Sequence, residues 1–125
     1  MSVLHTRRTF DMTDFNRKNA VLILPLRDNA GRQLTETHRT LREELLDAFG
    51  GYTQTLVTGA WKDDAGKVYQ DDSLKYEIAM GTGPADGKKL VSIAHQACAQ
   101  GRQECVFVQL AAGNVVFVDA KGAMS

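Results

Sequence analysis

Val21-Leu22-Ile23-Leu24-Pro25-Leu26 is a continuous apolar run, bounded by Asn19 before it and Asp28-Asn29-Ala30-Gly31 after it. It is short, partly β-branched and closed by turn residues, the pattern of a strand buried on both faces. Pro25 has no N–H to give to a ladder, so it belongs near the strand's end. In Asp28-Asn29-Ala30-Gly31 the Asp and Asn side chains can bond their own backbone and Gly supplies a positive φ, which makes the stretch a turn.

Downstream the period changes. From Glu36 to Phe49 it is helical, with Leu41, Leu45, Ala48 and Phe49 on one face and Leu46 beside them. Thr35 or Thr37 is a suitable N-cap, and Gly50-Gly51 ends the helix. Tyr52 to Lys62 and Lys67 to Met80 read as strands joined by an Asp63-Asp64-Ala65-Gly66 hairpin loop. In the second strand Leu74, Tyr76, Ile78 and Met80 face one way, while Lys75, Glu77 and Ala79 face the other. Gly81-Thr82-Gly83-Pro84 is a loop, and Asp86 is a candidate N-cap for a second helix. That helix carries a stripe of Leu90, Val91, Ala94, Ala97 and Cys98, and Gly101 stops it. Cys105 to Leu110 and Val115 to Val118 are two further strands, turned by Ala111-Ala112-Gly113-Asn114.

The order is β-α-β-β-α-β-β. Two helices separated by an antiparallel hairpin give the split βαβ pattern of the ferredoxin-like α+β fold. That fold puts the first strand at the centre, which suits Val21–Leu26, and the extra C-terminal strand extends one edge. Residues 1–18 then form an N-terminal arm, 19–120 a single domain and 121–125 a fraying tail. The arm holds Arg7, Arg8, Arg17 and Lys18 against Asp11 and Asp14, with isolated Phe10, Met12 and Phe15. It reads as a surface arm or short edge strand rather than an arm that anchors a partner.

At 125 residues, 43% hydrophobic and 24% charged, the chain can bury a core without disulfide or metal staples. Fifteen basic residues balance fifteen acidic ones. That balance lacks the basic excess of a nucleic-acid binder and gives no attraction to an anionic membrane. No apolar run approaches the ~20 residues that span a bilayer. Met1 to Arg8 has no apolar segment of a signal peptide, so a cytoplasmic protein is expected. Cys98 and Cys105 make no disulfide framework and are expected as buried thiols.

Gly59-Ala60-Trp61-Lys62-Asp63, Gly66-Lys67-Val68-Tyr69, Asp72-Ser73-Leu74-Lys75-Tyr76 and Gln103-Glu104-Cys105-Val106-Phe107-Val108 together resemble a bacterial family of small domains of unknown function. The resemblance runs from Gly59 to about Val118, and the Gly-x-Trp followed by an Asp-x-x-Gly hairpin is its most specific part. It implies a fold and supplies no mechanism.

Phosphate-binding glycine loops, a nucleophile elbow, a zincin helix and paired CxxC motifs are absent from the sequence. Paired Asp63-Asp64 and Asp71-Asp72 invite a metal, but Asp at a hairpin tip is expected for turn chemistry alone. No metal or cofactor is expected. Of His5, His38 and His95, only His95 has a suggestive place, on the border of the second apolar stripe. Trp61 and Tyr69 flank the hairpin loop, either as a cross-strand aromatic pair or as an exposed hot spot. The main expectation is a non-catalytic accessory or regulatory protein that engages a protein partner through Trp61, Tyr69, Asp63 and Asp64. The alternative is a small dimeric enzyme acting on a small molecule, with His95 as general acid or base and Tyr76, Trp61 and Tyr69 lining a cleft over the sheet. A cavity containing His95 would favour the enzyme. A homodimer is expected either way, because helices on one face of a sheet leave the other face in need of cover.

Overall fold

The structure is a computed structural model and describes residues 16–125. His5, Phe10, Met12 and Phe15, and with them most of the proposed arm, lie outside the described residues. Seven elements follow in order: β1 (Lys18–Pro25), α1 (Thr35–Phe49), β2 (Thr53–Lys62), β3 (Val68–Met80), α2 (Pro84–Gln100), β4 (Cys105–Gln109) and β5 (Val115–Asp119). The strands form one antiparallel sheet in the order β2-β3-β1-β4-β5. β1 is central, and β5 extends the edge beyond β4, as expected. The protein is therefore α+β. Among the described residues no helix is long and apolar enough to cross a membrane.

Both helices cover the same face of the sheet. Ala20, Leu22 and Leu24 of β1 are fully buried there, level with Ile78, Tyr76 and Leu74 across the β1–β3 register. Val106, Val108 and Val118 continue the layer, and Leu41, Leu45, Leu90, Ala94, Ala97 and Cys98 close it from the helices. Val21, Ile23 and Pro25 point to the opposite face and are only half buried, so β1 is not sealed on both sides. Its apolar run is continuous because the open face near β1 is itself apolar: Phe107 and Phe117 meet there edge to face, 6.0 Å apart.

The ends of the elements depart from the sequence expectation. Leu34, not Thr35 or Thr37, caps α1, and no side chain bonds the first turn. The reason is the turn before it. Leu34 N–H donates to the Leu26 carbonyl at 2.8 Å and Arg27 bridges Gln33, so the helix starts directly from a closed loop with Leu34 buried. α2 begins at Pro84, a residue suited to the first helical position, with Gly83 as cap. Asp86 lies inside its first turn and accepts the Gly81 N–H at 2.9 Å. The last residues do not fray. Phe117 and Ser125 exchange N–H···O bonds of 3.0 Å, and Asp119 N–H donates to the Ala123 carbonyl, because the outer edge of β5 would otherwise lie unpaired. Gly122 makes that return with φ +86°.

His38 is 3% exposed, on the sheet side of α1. Its Nε2–H donates to the Pro25 carbonyl at 2.8 Å, and Nδ1 accepts the Tyr76 hydroxyl at 2.7 Å. Burial, ahead of the nearby Arg42 charge, pushes its pKa below the ordinary histidine value despite the Pro25 bond, so the ring stays neutral. Tyr76→Phe removes the donor to a buried nitrogen and should cost ~1–3 kcal/mol of stability. Chemical denaturation of the two proteins checks this, and an unchanged midpoint would mean that His38 is not held by Tyr76.

Candidate functional site

Separate cavities among the described residues divide the residues that the sequence suggested. The first follows from a mismatch of strand lengths. β3 runs on beyond Pro25, where β1 ends, and carries β2 with it as a long hairpin. Trp61 and Tyr69 are opposite in register on the open face, with ring centroids 4.5 Å apart and planes 15° from parallel. They are thus the cross-strand pair, and Trp61 is still 48% exposed. Asp63 is taken up by the turn: its carboxylate accepts the Ala65 and Lys67 N–H groups and the Tyr69 hydroxyl, at 3.0, 2.9 and 3.3 Å. Lys67 Nζ sits 5.0 Å from the Tyr69 ring centre.

Between the base of this hairpin and the start of β4 lies a notch of about 450 Å³, floored by Pro25 and Ile23. Trp61, Phe107 and Phe117 supply aromatic surface, while Asp71 and Glu104 supply carboxylates. Among the described residues no lysine or arginine lines it. Neither acid forms an ion pair among the described residues. Asn29, Ser73 and Gln103 add neutral polar groups. The sequence reading missed Glu104 and Phe107 as partners of Trp61 because they come from a distant loop and strand; it also missed Asp71, which the hairpin register places opposite Gly59 on the face of Trp61.

Two of those loops are joined by one carboxylate. Asp28 accepts the Ala30 and Arg32 N–H groups at Oδ1, and at Oδ2 it accepts Arg32 Nε–H at 2.9 Å and Arg102 Nη2–H at 2.8 Å. Arg102 takes a left-handed φ of 52°, strained for a non-glycine residue, where Gly101 would have been the expected carrier. The clamp ties the β1–α1 loop, with Asn29, to the α2–β4 loop, with Gln103 and Glu104.

His95 lies elsewhere. It lines a mainly apolar cavity of about 490 Å³ on the helix side, with Met80, Val91, Leu110 and Met124. Its Nδ1–H donates to the Asp119 carbonyl at 3.0 Å, which leaves Nε2 as the acceptor of the neutral ring. Gly122 packs against that edge. Tyr76 points into the core toward His38 and Tyr52, so it does not share a cleft with Trp61 and Tyr69. The two face opposite sides of the sheet because their positions in β3 differ by an odd number. Cys98 is buried and donates to the Gln103 carbonyl, and burial pushes its thiol up to about 11. Cys105 is exposed rather than buried, since it faces the open side of β4. Partial burial and then the Glu104 and Asp119 charges push its thiol up too, so neither cysteine is an activated nucleophile. No group of three or more metal-binding side chains occurs among the described residues.

No protein-family model matches the chain and no curated protein matches it. Solved structures do. A phage SAM lyase in complex with S-methyl-5'-thioadenosine superposes with a TM-score of 0.64 at 13% identity, covering 96% of this chain and 98% of that one. A phage SAM lyase in its apo state gives a TM-score of 0.61 at 14% identity, covering 82% and 89%. At these identities the likeness shows a shared fold. It also corrects the expectation of a non-catalytic accessory protein, because the structures that share this architecture along nearly the whole chain are enzymes acting on a small molecule.

The clamp has a pH signature. Burial alone would raise the Asp28 carboxyl, but the Arg32 N–H and the Arg102 and Arg32 guanidiniums outweigh it and hold the pKa at about 2. The stability it contributes is present above the unfolded value of ~3.9 and is lost as pH falls through about 2. Asp28→Asn should lower the melting temperature at neutral pH and flatten the melting profile across that interval. Parallel profiles for the two proteins would exclude this role.

Proposed function

We propose that the chain is a small-molecule enzyme of the lyase type, acting on a sulfonium nucleoside such as SAM in the notch beside Trp61. The observation that carries this reading is the composition of the notch: aromatic faces with two carboxylates and, among the described residues, no basic side chain. A sulfonium nucleoside is a cation that bears an aromatic base. Aromatic faces attract the cation through their quadrupole and stack on the base, and the carboxylates favour the positive charge. The volume lies within the ordinary range for a small-molecule site. The fold is assigned as ferredoxin-like, with β5 and the returning tail as additions. This supports transfer of the neighbours' activity class to this chain.

The residues' tasks follow from the reaction. Cleavage of a C–S bond in a sulfonium takes the bonding pair onto sulfur and leaves a neutral thioether. Positive charge is lost as the bond breaks, so a water-poor apolar wall of Trp61, Phe107 and Phe117 favours the step. Asp71 and Glu104 orient the cation, and either can accept the proton from the carbon next to the breaking C–S bond, whose C–H pair forms the C=C bond of the departing fragment as the C–S pair goes to sulfur. A second copy seated on the open face, as a homodimer, would shield the notch and cover exposed Phe117 and Val115. Light scattering at tens of micromolar should then give twice the chain mass.

One observation favours a second placement of the chemistry: His95 presents Nε2 at a cavity large enough for a nucleoside. Incubation with SAM and chromatography for S-methyl-5'-thioadenosine separates the two. The notch reading expects Trp61→Ala to weaken substrate binding roughly three- to thirtyfold and His95→Gln to leave turnover within about twofold. Loss of turnover in His95→Gln with normal melting, and none in Trp61→Ala, would move the site to the His95 cavity. A wild-type protein that neither binds nor cleaves SAM would overturn the substrate assignment.

A further inference from the structure

We propose that a third pocket, at the N-terminal end of α1, is an oxyanion site that takes a phosphate or carboxylate group of a small metabolite. It encloses about 300 Å³ and is lined by Arg27, Gln33, Thr35, His38 and Arg42 among its polar residues. Two guanidiniums meet there without a carboxylate. The acids that might neutralise them are engaged elsewhere. Glu36 and Glu43 pair with Arg39 at 2.6 and 3.0 Å, and Asp28 pairs with Arg32 and Arg102. Arg27 bonds only the Gly31 carbonyl, at 3.3 Å, and Arg42 leans on the Tyr76 hydroxyl. Planar guanidiniums of this kind recognise oxyanions through paired N–H donors.

The surroundings reinforce the same charge preference. No side chain caps α1, and the positive end of its dipole lies at Thr35 on the pocket wall, with Arg42 about two turns further along the helix. Thr35 and Gln33 add neutral donors. Both nitrogens of His38 are already engaged, with Pro25 and Tyr76, so the ring lines the pocket without spending a donor on its occupant. The site lies on the helix side of the sheet, whereas the notch lies on the open side, and its occupancy is independent of the lyase reading.

The test uses the full chain at low ionic strength, titrated with inorganic phosphate, with acetate, and with chloride at matched ionic strength. Melting temperature and the NMR signal of the His38 ring are followed. Saturable stabilisation by phosphate or acetate, with a His38 shift that chloride does not produce, is expected, and whichever anion saturates names the group. Arg27→Gln should weaken that binding by at least about tenfold, while Arg39→Gln should not. If Arg27→Gln does not fold, Thr35→Val carries the same expected loss. Identical, non-saturating responses to all three salts, or wild-type affinity in Arg27→Gln, would overturn the proposal.

Discussion

Pro25 is the last residue of the central strand; one further N–H, from Leu26, reaches the Asp72 carbonyl at 2.9 Å, while β3 extends back to Val68 with β2 paired alongside. That early stop shapes the functional end of the molecule. On the open face it leaves a step between the overhanging hairpin and the start of β4, and the step is the aromatic and acidic notch. On the helix face the Pro25 carbonyl accepts His38 Nε2–H, which anchors α1 over the same strand end. The end of β1 thus borders the notch on one face and anchors α1 on the other.

The step would be a loose opening without a second restraint. Asp28 provides it, since its buried carboxylate receives donors from its own loop and from Arg102 in a loop distant along the chain. The strained backbone of Arg102 is held by these bonds. Asn29, Gln103 and Glu104 are consequently presented to the notch from loops that are pinned rather than free. Pinned loops suit catalysis, where misplacement by an ångström costs rate.

The solved lyase structures share this chain's architecture and little of its sequence. Identity of 13–14% transmits the architecture and no residue roles. What the chain itself shows is a notch with two carboxylates, three aromatic rings and, among the described residues, no cation. The opposite preference appears across the sheet, where Arg27 and Arg42 meet without an acid. The net charge of zero conceals both, because composition sums over the chain and recognition depends on where the charges converge.

The sequence by itself determined the elements and their order. Alternation in Leu74–Met80, the helical stripes through Leu41–Leu45 and Leu90–Cys98, and Pro25 as a strand terminator are local signals, each set by periodicity or by a missing N–H. Trp61 opposite Tyr69 was legible for the same reason, since a hairpin brings near neighbours together. Tertiary structure alone decided the sites. Whether Tyr76 turned to the core or to the open face depended on which side the helices cover. His38 carried no signal in the sequence, and only the packing of α1 on the sheet brings it to the Pro25 carbonyl. Asp71 met Glu104, and Asp28 met Arg102, across separations that no local period records. Such contacts depend on strand order and on where each strand stops, and those are fixed only when the whole sheet has assembled around β1.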